Sequence, residues 1–198
     1  MKKLWKNLIV IGFALFFGIN LYLEIQEPSP EPLVDTSDLS VGIKTGERAT
    51  DFEGVTLSGE TIRLSDLRGK TVLINLFASW CGPCQLEAPH LAQVYAELGG
   101  DDVAFIGLNL EERPEEVSAF KEEYGWEFPV ILNQDGKLTE IYRPLGLPTS
   151  WFIDPNGIIQ YVHTGPITAD MLTMAIINIQ EGREPNSFAS LEGKTVLD

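Results

Sequence analysis

Cys81 and Cys84 are the only cysteines in the 198-residue chain, and they stand together as one Cys-x-x-Cys. Just before them, Thr71 to Phe77 (TVLINLF) is a nearly continuous apolar run rich in β-formers, the pattern of a strand buried on both faces. A helical stretch follows them to Leu98 and is closed by Gly99-Gly100. This order predicts that Cys81 sits at a helix N-terminus, where unpaired N–H groups and the helix dipole favour negative charge. In such motifs the first thiol is expected to titrate at about 7 or below, against roughly 8.5 for a free cysteine. The thiolate is the attacking species, so Cys81 is expected to form a mixed disulfide. Cys84, a turn further in and more buried, is expected to resolve it. Pro83 lacks an N–H and pre-sets φ for the first turn, while Gly82 lets a partner backbone approach closely. An inert buried pair or an inert surface disulfide is the competing reading, and it gives no reason for the strand before and the helix after.

Other uses of two cysteines fit less well. A disulfide-scaffolded secreted domain would carry more of them at longer spacing. Zinc would need two further ligands, and the chain offers only His90 and His163, so no metal is expected. Both histidines read as structural or simply exposed. Charge argues against nucleic acid. The chain carries −15, and setting aside Lys2, Lys3 and Lys6 leaves −18 from Glu24 onward.

The elements that must position the dithiol are legible in the pattern. Phe52 to Leu57 and Thr61 to Leu64 alternate around Ser58-Gly59 as a β-hairpin, and Ser65 to Gly69 reads as a short helical turn. Val103 to Leu108 is a second buried strand. Pro114 opens a helix with Val117, Phe120 and Tyr124 on one face. Phe128 to Leu132 reads as a strand or extended segment, with a short helix near Leu138 to Tyr142. Ser150 to Ile153 and Ile158 to His163 flank the turn Asp154-Pro155-Asn156-Gly157, so they form a hairpin. Met171, Leu172, Ala175, Ile176 and Ile179 space as one face of a final helix. A parallel first half and an antiparallel second half imply an α/β fold, with a mixed sheet and helices on both faces.

The ends differ in style. Leu8 to Leu23 is apolar but for Asn20 and follows a lysine-rich start. Residues 1–25 are expected to form an uncleaved transmembrane signal anchor, because no small-x-small cleavage site follows the apolar run. Its lysines should stay in the cytoplasm, placing the rest of the chain outside. Residues 26–45, with Pro28, Pro30 and Pro32 among acids and serines, read as a linker without structure of its own. The folded domain is expected over 46–181, with a loose tail over 182–198.

From about Gly46 to Gln180 the chain resembles the thioredoxin superfamily and, more narrowly, the ResA/TlpA-like membrane-anchored thiol–disulfide oxidoreductases. The matching residues are Gly46 to Phe52 (GERATDF), Gly69 to Asn75 (GKTVLIN), Phe77 to Cys81 (FASWC), Glu87 to Pro89 (EAP) and Gly146 to Ser150 (GLPTS). The resemblance implies a thioredoxin fold with an N-terminal β-hairpin extension, preceded by one transmembrane helix. It implies a cis bond at Pro148 facing the cysteines, with Leu147 offering backbone groups to an extended substrate segment. Pro89 matches a helix-kinking proline. Trp80 is either an apolar wall over the dithiol or a plain core tryptophan. Glu87 reads as a solvated helical glutamate, with influence on the Cys84 proton as the alternative. Glu112 aligns with an acid that the family places near the cysteines, with Glu111 as its adjacent rival. Cytoplasmic thioredoxins hold a buried Asp where this chain has Asn75, which cannot titrate, so a proton relay is expected at Glu112. ResA has Glu where this chain has Gly82, so switching tied to that residue is not implied.

The function implied is dithiol reduction of disulfides in exported proteins, apocytochrome c first among them. Electrons would arrive from a CcdA/DsbD-like transmembrane carrier. No cofactor is expected beyond the Cys81–Cys84 disulfide itself, and the chain is expected to act as a monomer. A disulfide-forming oxidant is the alternative, although oxidants commonly carry His between the cysteines. A thiol peroxidase would need a Pro-x-x-x-Thr/Ser-x-x-Cys run, which is missing before Cys81.

Overall fold

The computed structural model describes residues 38–183. The expected anchor, most of the linker and nearly all of the tail lie outside the described residues. Among the described residues, no helix is long and apolar enough to cross a membrane.

Four short strands open the fold: β1 (Val41–Gly42), β2 (Arg48–Ala49), β3 (Glu53–Val55) and β4 (Thr61–Arg63). β1 pairs with β2 in parallel, and β3 with β4 as the expected hairpin. Order therefore begins before Gly46, within the stretch read from composition as structureless linker. The reason is packing: Ile43 lies against buried core, and its carbonyl accepts the Trp151 indole N–H at 3.1 Å. At Gly54 the hairpin crosses β-sheet side chains closely, since a Cβ there would meet Ile131 Cγ2 at 2.5 Å.

A 3-10 turn at Leu64–Leu67 leads into β5 (Thr71–Phe77), α1 (Gly82–Leu98), β6 (Val103–Leu110), α2 (Pro114–Glu123), β7 (Val130–Asn133) and α3 (Lys137–Tyr142). The chain ends its fold with β8 (Thr149–Ile153), β9 (Ile159–Thr164) and α4 (Ala169–Gln180). The main sheet has the order β7-β6-β5-β8-β9, with β5, β6 and β7 mutually parallel, β8 antiparallel to β5, and β9 antiparallel to β8. β5 is central, and all seven of its residues are buried, as its unbroken apolar run requires.

Alternation along β5 divides the core. Leu73 and Phe77 pack on one face with side chains of α1, α2 and α4. Val72, Ile74 and Leu76 pack on the other with Ala49, Phe52 and the α3 residues Leu138 and Tyr142. Asn75 shares the first face, so β5 delivers a polar group into an apolar layer directly beneath α1. An aromatic group of Phe77, Phe120, Trp126 and Phe128 anchors this layer, with ring centroids 4.6–5.2 Å apart between Trp126 and the other three. The Trp126 indole also donates to Ala88 O at 2.9 Å, tying the layer to α1. Trp126→Ala is expected to cost about 3–5 kcal/mol in chemical denaturation, since it leaves a cavity in the aromatic layer and removes the indole's bond to α1.

Candidate active site

β5 ends at Phe77, and three residues later the chain turns into α1 with Cys81 as its N-cap. The Cys84 N–H donates to Cys81 Sγ at 3.4 Å, so the first sulfur takes one of the unpaired N–H groups of the helix start. Both cysteines are free thiols. Their access differs: Cys81 is 7% exposed and Cys84 only 1%. Burial, and then the contact with Cys81, push the Cys84 thiol strongly up from its ordinary value. Gly82 and Pro83 are exposed, leaving the outer side of the motif open to a partner.

The loop entering the motif is fastened from β6. Asn109, in register with Phe77, donates through Nδ2 to Glu112 Oε2 at 2.6 Å and accepts the Glu112 N–H at 3.1 Å. Glu112 in turn accepts the Ser79 N–H at 2.8 Å and the Ser79 hydroxyl. Glu112, not Glu111, turns inward; Glu111 is exposed with a φ of 54°. The donors on Glu112 come from the loop and from Asn109, which is the arrangement of a brace. Gln85 closes the same loop from α1, donating to Ser79 O at 2.8 Å.

Glu87 corrects the expectation of a solvated helical glutamate. It is 1% exposed, on the inward stripe of α1 with Cys84, Ala88, Leu91 and Val94. Its Oε1 accepts from Asn75 Nδ2 at 2.7 Å and its Oε2 from the Ile167 N–H at 3.1 Å. Burial nonetheless dominates and raises its carboxyl to about 8, while the bonds from Asn75 and Ile167 oppose that rise. Its charge bears on Cys84 and adds to the rise of that thiol. The signal was present in the sequence: residue 87 falls three after Cys84 and four before Leu91, the spacing of one helical face. Asn75 explains how a buried carboxyl can serve in two protonation states. Its Oδ1 is buried without a partner, and its Nδ2 also meets Ser150 Oγ at 3.0 Å. Nδ2 suits the carboxylate, and a rotated amide would present Oδ1 to the protonated acid.

The Leu147–Pro148 bond is cis. Register pairs Thr149 with Leu76, so this bond lies at the end of β5 from which the cysteine loop leaves. Pro148 O accepts the Gly165 N–H at 2.9 Å, whereas no backbone hydrogen bond is made by Leu147 among the described residues. Trp80 is 67% exposed, which overturns the alternative of a core tryptophan. With Leu86 (70%) and Leu145 (97%) it adds exposed apolar surface to the segments bearing the cysteines and the cis proline. Pro89 lies inside α1 as expected. Among the described residues, no group of three or more His, Cys, Asp or Glu is placed to hold a metal ion.

A dithiol at the junction of a central strand and a helix, with a cis proline at the same sheet end, defines a thioredoxin-fold protein suited to thiol–disulfide exchange. Residues 45–162 match the AhpC/TSA family. The chain belongs to this family and is a thiol–disulfide oxidoreductase. It is 33% identical over 171 residues to thioredoxin-like protein YneN of Bacillus subtilis, covering 85% of this chain and 93% of that one. It is 35% identical over 172 residues to the thiol-disulfide oxidoreductase ResA of Halalkalibacterium halodurans, covering 86% and 92% respectively. Among solved structures, a putative thiol:disulfide interchange protein DsbE from Chlorobium tepidum superposes with a TM-score of 0.64 at 30% identity, covering 70% of this chain and 99% of that one.

Proposed function

We propose that the protein is a membrane-anchored dithiol reductant of exported proteins, facing the extracytoplasmic side, with Cys81 as nucleophile and Cys84 as resolving thiol. The unequal access of the two sulfurs carries this reading. The Cys81 thiolate attacks a substrate disulfide, forming a mixed disulfide and releasing one substrate thiolate, which takes a proton from solvent. Cys84 then loses its proton to the Glu87 carboxylate and attacks Cys81 Sγ, releasing the second substrate thiolate. The products are the Cys81–Cys84 disulfide and a reduced substrate. Glu87 rather than Glu112 receives the proton, because Glu87 is the carboxylate whose charge bears on Cys84. Glu112 acts by holding Ser79, and thereby the approach to Cys81. Leu147 presents free backbone groups to an extended substrate, with Pro148, Trp80, Gly82 and Pro83 around the point of contact.

Apocytochrome c is the proposed substrate class, and a CcdA/DsbD-type carrier the proposed source of electrons through the residue 1–25 anchor's membrane. The dithiol needs no further cofactor. The reduction potential of the full chain, equilibrated against glutathione and thioredoxin, tests the direction. A value nearer thioredoxin's, about −270 mV, is expected, and one above about −180 mV would instead mark an oxidant or isomerase. In cells, the chain should stay with membranes after a salt wash and expose its domain to external protease. A soluble form starting near Glu24 would remove the anchor from the proposal.

A further inference from the structure

The second carboxylate oxygen of Glu87 reaches the turn between β9 and α4. There it accepts the Ile167 N–H at 3.1 Å. The carbonyl of the same peptide group, Pro166 O, lies 3.3 Å from Nε2 of His163, on edge strand β9. A single peptide therefore stands between a buried acid and a half-buried imidazole, its N–H on one and its C=O on the other. Strand register adds a second connection. His163 pairs with Ser150 and Ser150 with Asn75, one row on the α1 face, and the Asn75 amide at its end holds Glu87. Tyr161 completes the imidazole's surroundings, its hydroxyl 3.2 Å from Nδ1.

We propose that His163 is a positioning residue that governs the protonation of Glu87 through the Pro166–Ile167 peptide. A protonated His163 donates from Nε2 to Pro166 O with a full charge behind the bond. The peptide is polarised, its N–H becomes a stronger donor, and the ionised form of Glu87 is favoured. The neutral imidazole exerts a weaker pull. By linkage the ionised carboxylate favours the imidazolium equally. Burial raises the Glu87 carboxyl to about 8. While His163 is protonated, the imidazolium keeps part of the Glu87 population ionised, the form that can take a proton from Cys84. The inference rests on Glu87 being that acceptor for its consequence, though not for the coupling itself.

Few other charges intrude. On α1, Cys84 faces Glu87, and β5 and β8 bring only the uncharged Asn75 and Ser150. Residues 165–168 of the turn carry no ionisable side chain, and β9 contributes Tyr161. Asp170, in the first turn of α4, is exposed.

The test uses the reduced full chain, whose two histidines make ring-proton NMR assignment direct. Glu87→Gln is expected to move the His163 ring-proton midpoint to lower pH than in the wild type, because the carboxylate that favours the imidazolium is gone. The Glu87 carboxyl is then followed by carbon NMR in two variants. His163→Gln keeps a donor without the charge, and His163→Lys keeps a charge. The lysine variant should place the Glu87 midpoint about one pH unit below the glutamine variant, the scale of a unit charge one peptide away at an effective dielectric of about 20. An unchanged His163 curve in Glu87→Gln, or equal Glu87 midpoints in the two variants, would overturn the coupling. A mere packing role for His163 predicts that unchanged curve. Should the coupling appear while Glu87→Gln leaves the resolution rate untouched, this inference stands and the role of Glu87 as proton acceptor fails.

Discussion

Cys84→Ser is expected to convert the protein into a trap, accumulating a mixed disulfide with a model protein disulfide until nearly every molecule carries one. Cys81→Ser should trap almost nothing, and its turnover should fall about a thousandfold or more, as for loss of a nucleophile. The asymmetry follows from access. Cys81 is 7% exposed at the helix N-cap, and Cys84 is 1% exposed with its thiol pushed up by burial. A substrate sulfur must meet its attacker in line, and only Cys81 has a face open to one. Cys84 needs no such access, because its target is delivered to it by the first step. Non-reducing electrophoresis and mass spectrometry of the two variants decide the matter. Equal trapping by both, or trapping by Cys81→Ser alone, would reverse the assignment.

Much of this architecture was legible because the sequence states it locally. The run from Thr71 to Phe77 could only be a doubly buried strand, and the Asp154 to Gly157 turn demanded a hairpin. The order of elements and the mixed sheet followed from these. What escaped were features set by which side of an element meets the core. Residues 41–43 look like linker by composition, but the Trp151 indole needs an acceptor and finds Ile43 O. Trp80 could be placed outside only once the loop geometry was known. Glu87 was misjudged because a charged residue on a helix is usually solvated. Its place on the Cys84–Leu91 stripe outweighs that tendency, since Asn75 and Ile167 supply the hydrogen bonds that make its burial tolerable. The resemblance points to an acid at Glu112, and there the carboxylate holds Ser79 and Asn109, contacts set by the loop's tertiary path and not by local pattern.

Glu87→Gln is expected to slow the resolving step about a hundredfold, the usual scale for loss of a positioned acid or base. That step is read by starting from a preformed mixed disulfide at Cys81 and timing its release in a single turnover, so the first attack does not enter. In the wild type the release rate should rise with pH and level off above about 8, as Glu87 becomes the carboxylate. The variant should lose that rise. Glu112→Gln serves as the contrast: it weakens the hold on Ser79, so the first attack slows while the pH profile of release stays put. Stability supplies an independent check with a defined sign. The folded-state value of Glu87, about 8, lies above that of an unfolded glutamate. The stabilisation it brings is therefore fully present at low pH and is lost as pH rises toward 8. The slope is at most about 1.4 kcal/mol per pH unit, starting from the ordinary carboxylate range near 4.3. Glutamine cannot ionise, so denaturation of Glu87→Gln between about pH 5 and 8 should lack this decline. Gln is tolerated if the Asn75 amide rotates and offers its unpartnered Oδ1 to the new Nε2–H. Parallel stability curves for the wild type and the variant would mean that Glu87 is already ionised when folded. Its part in moving the Cys84 proton would then have to be abandoned.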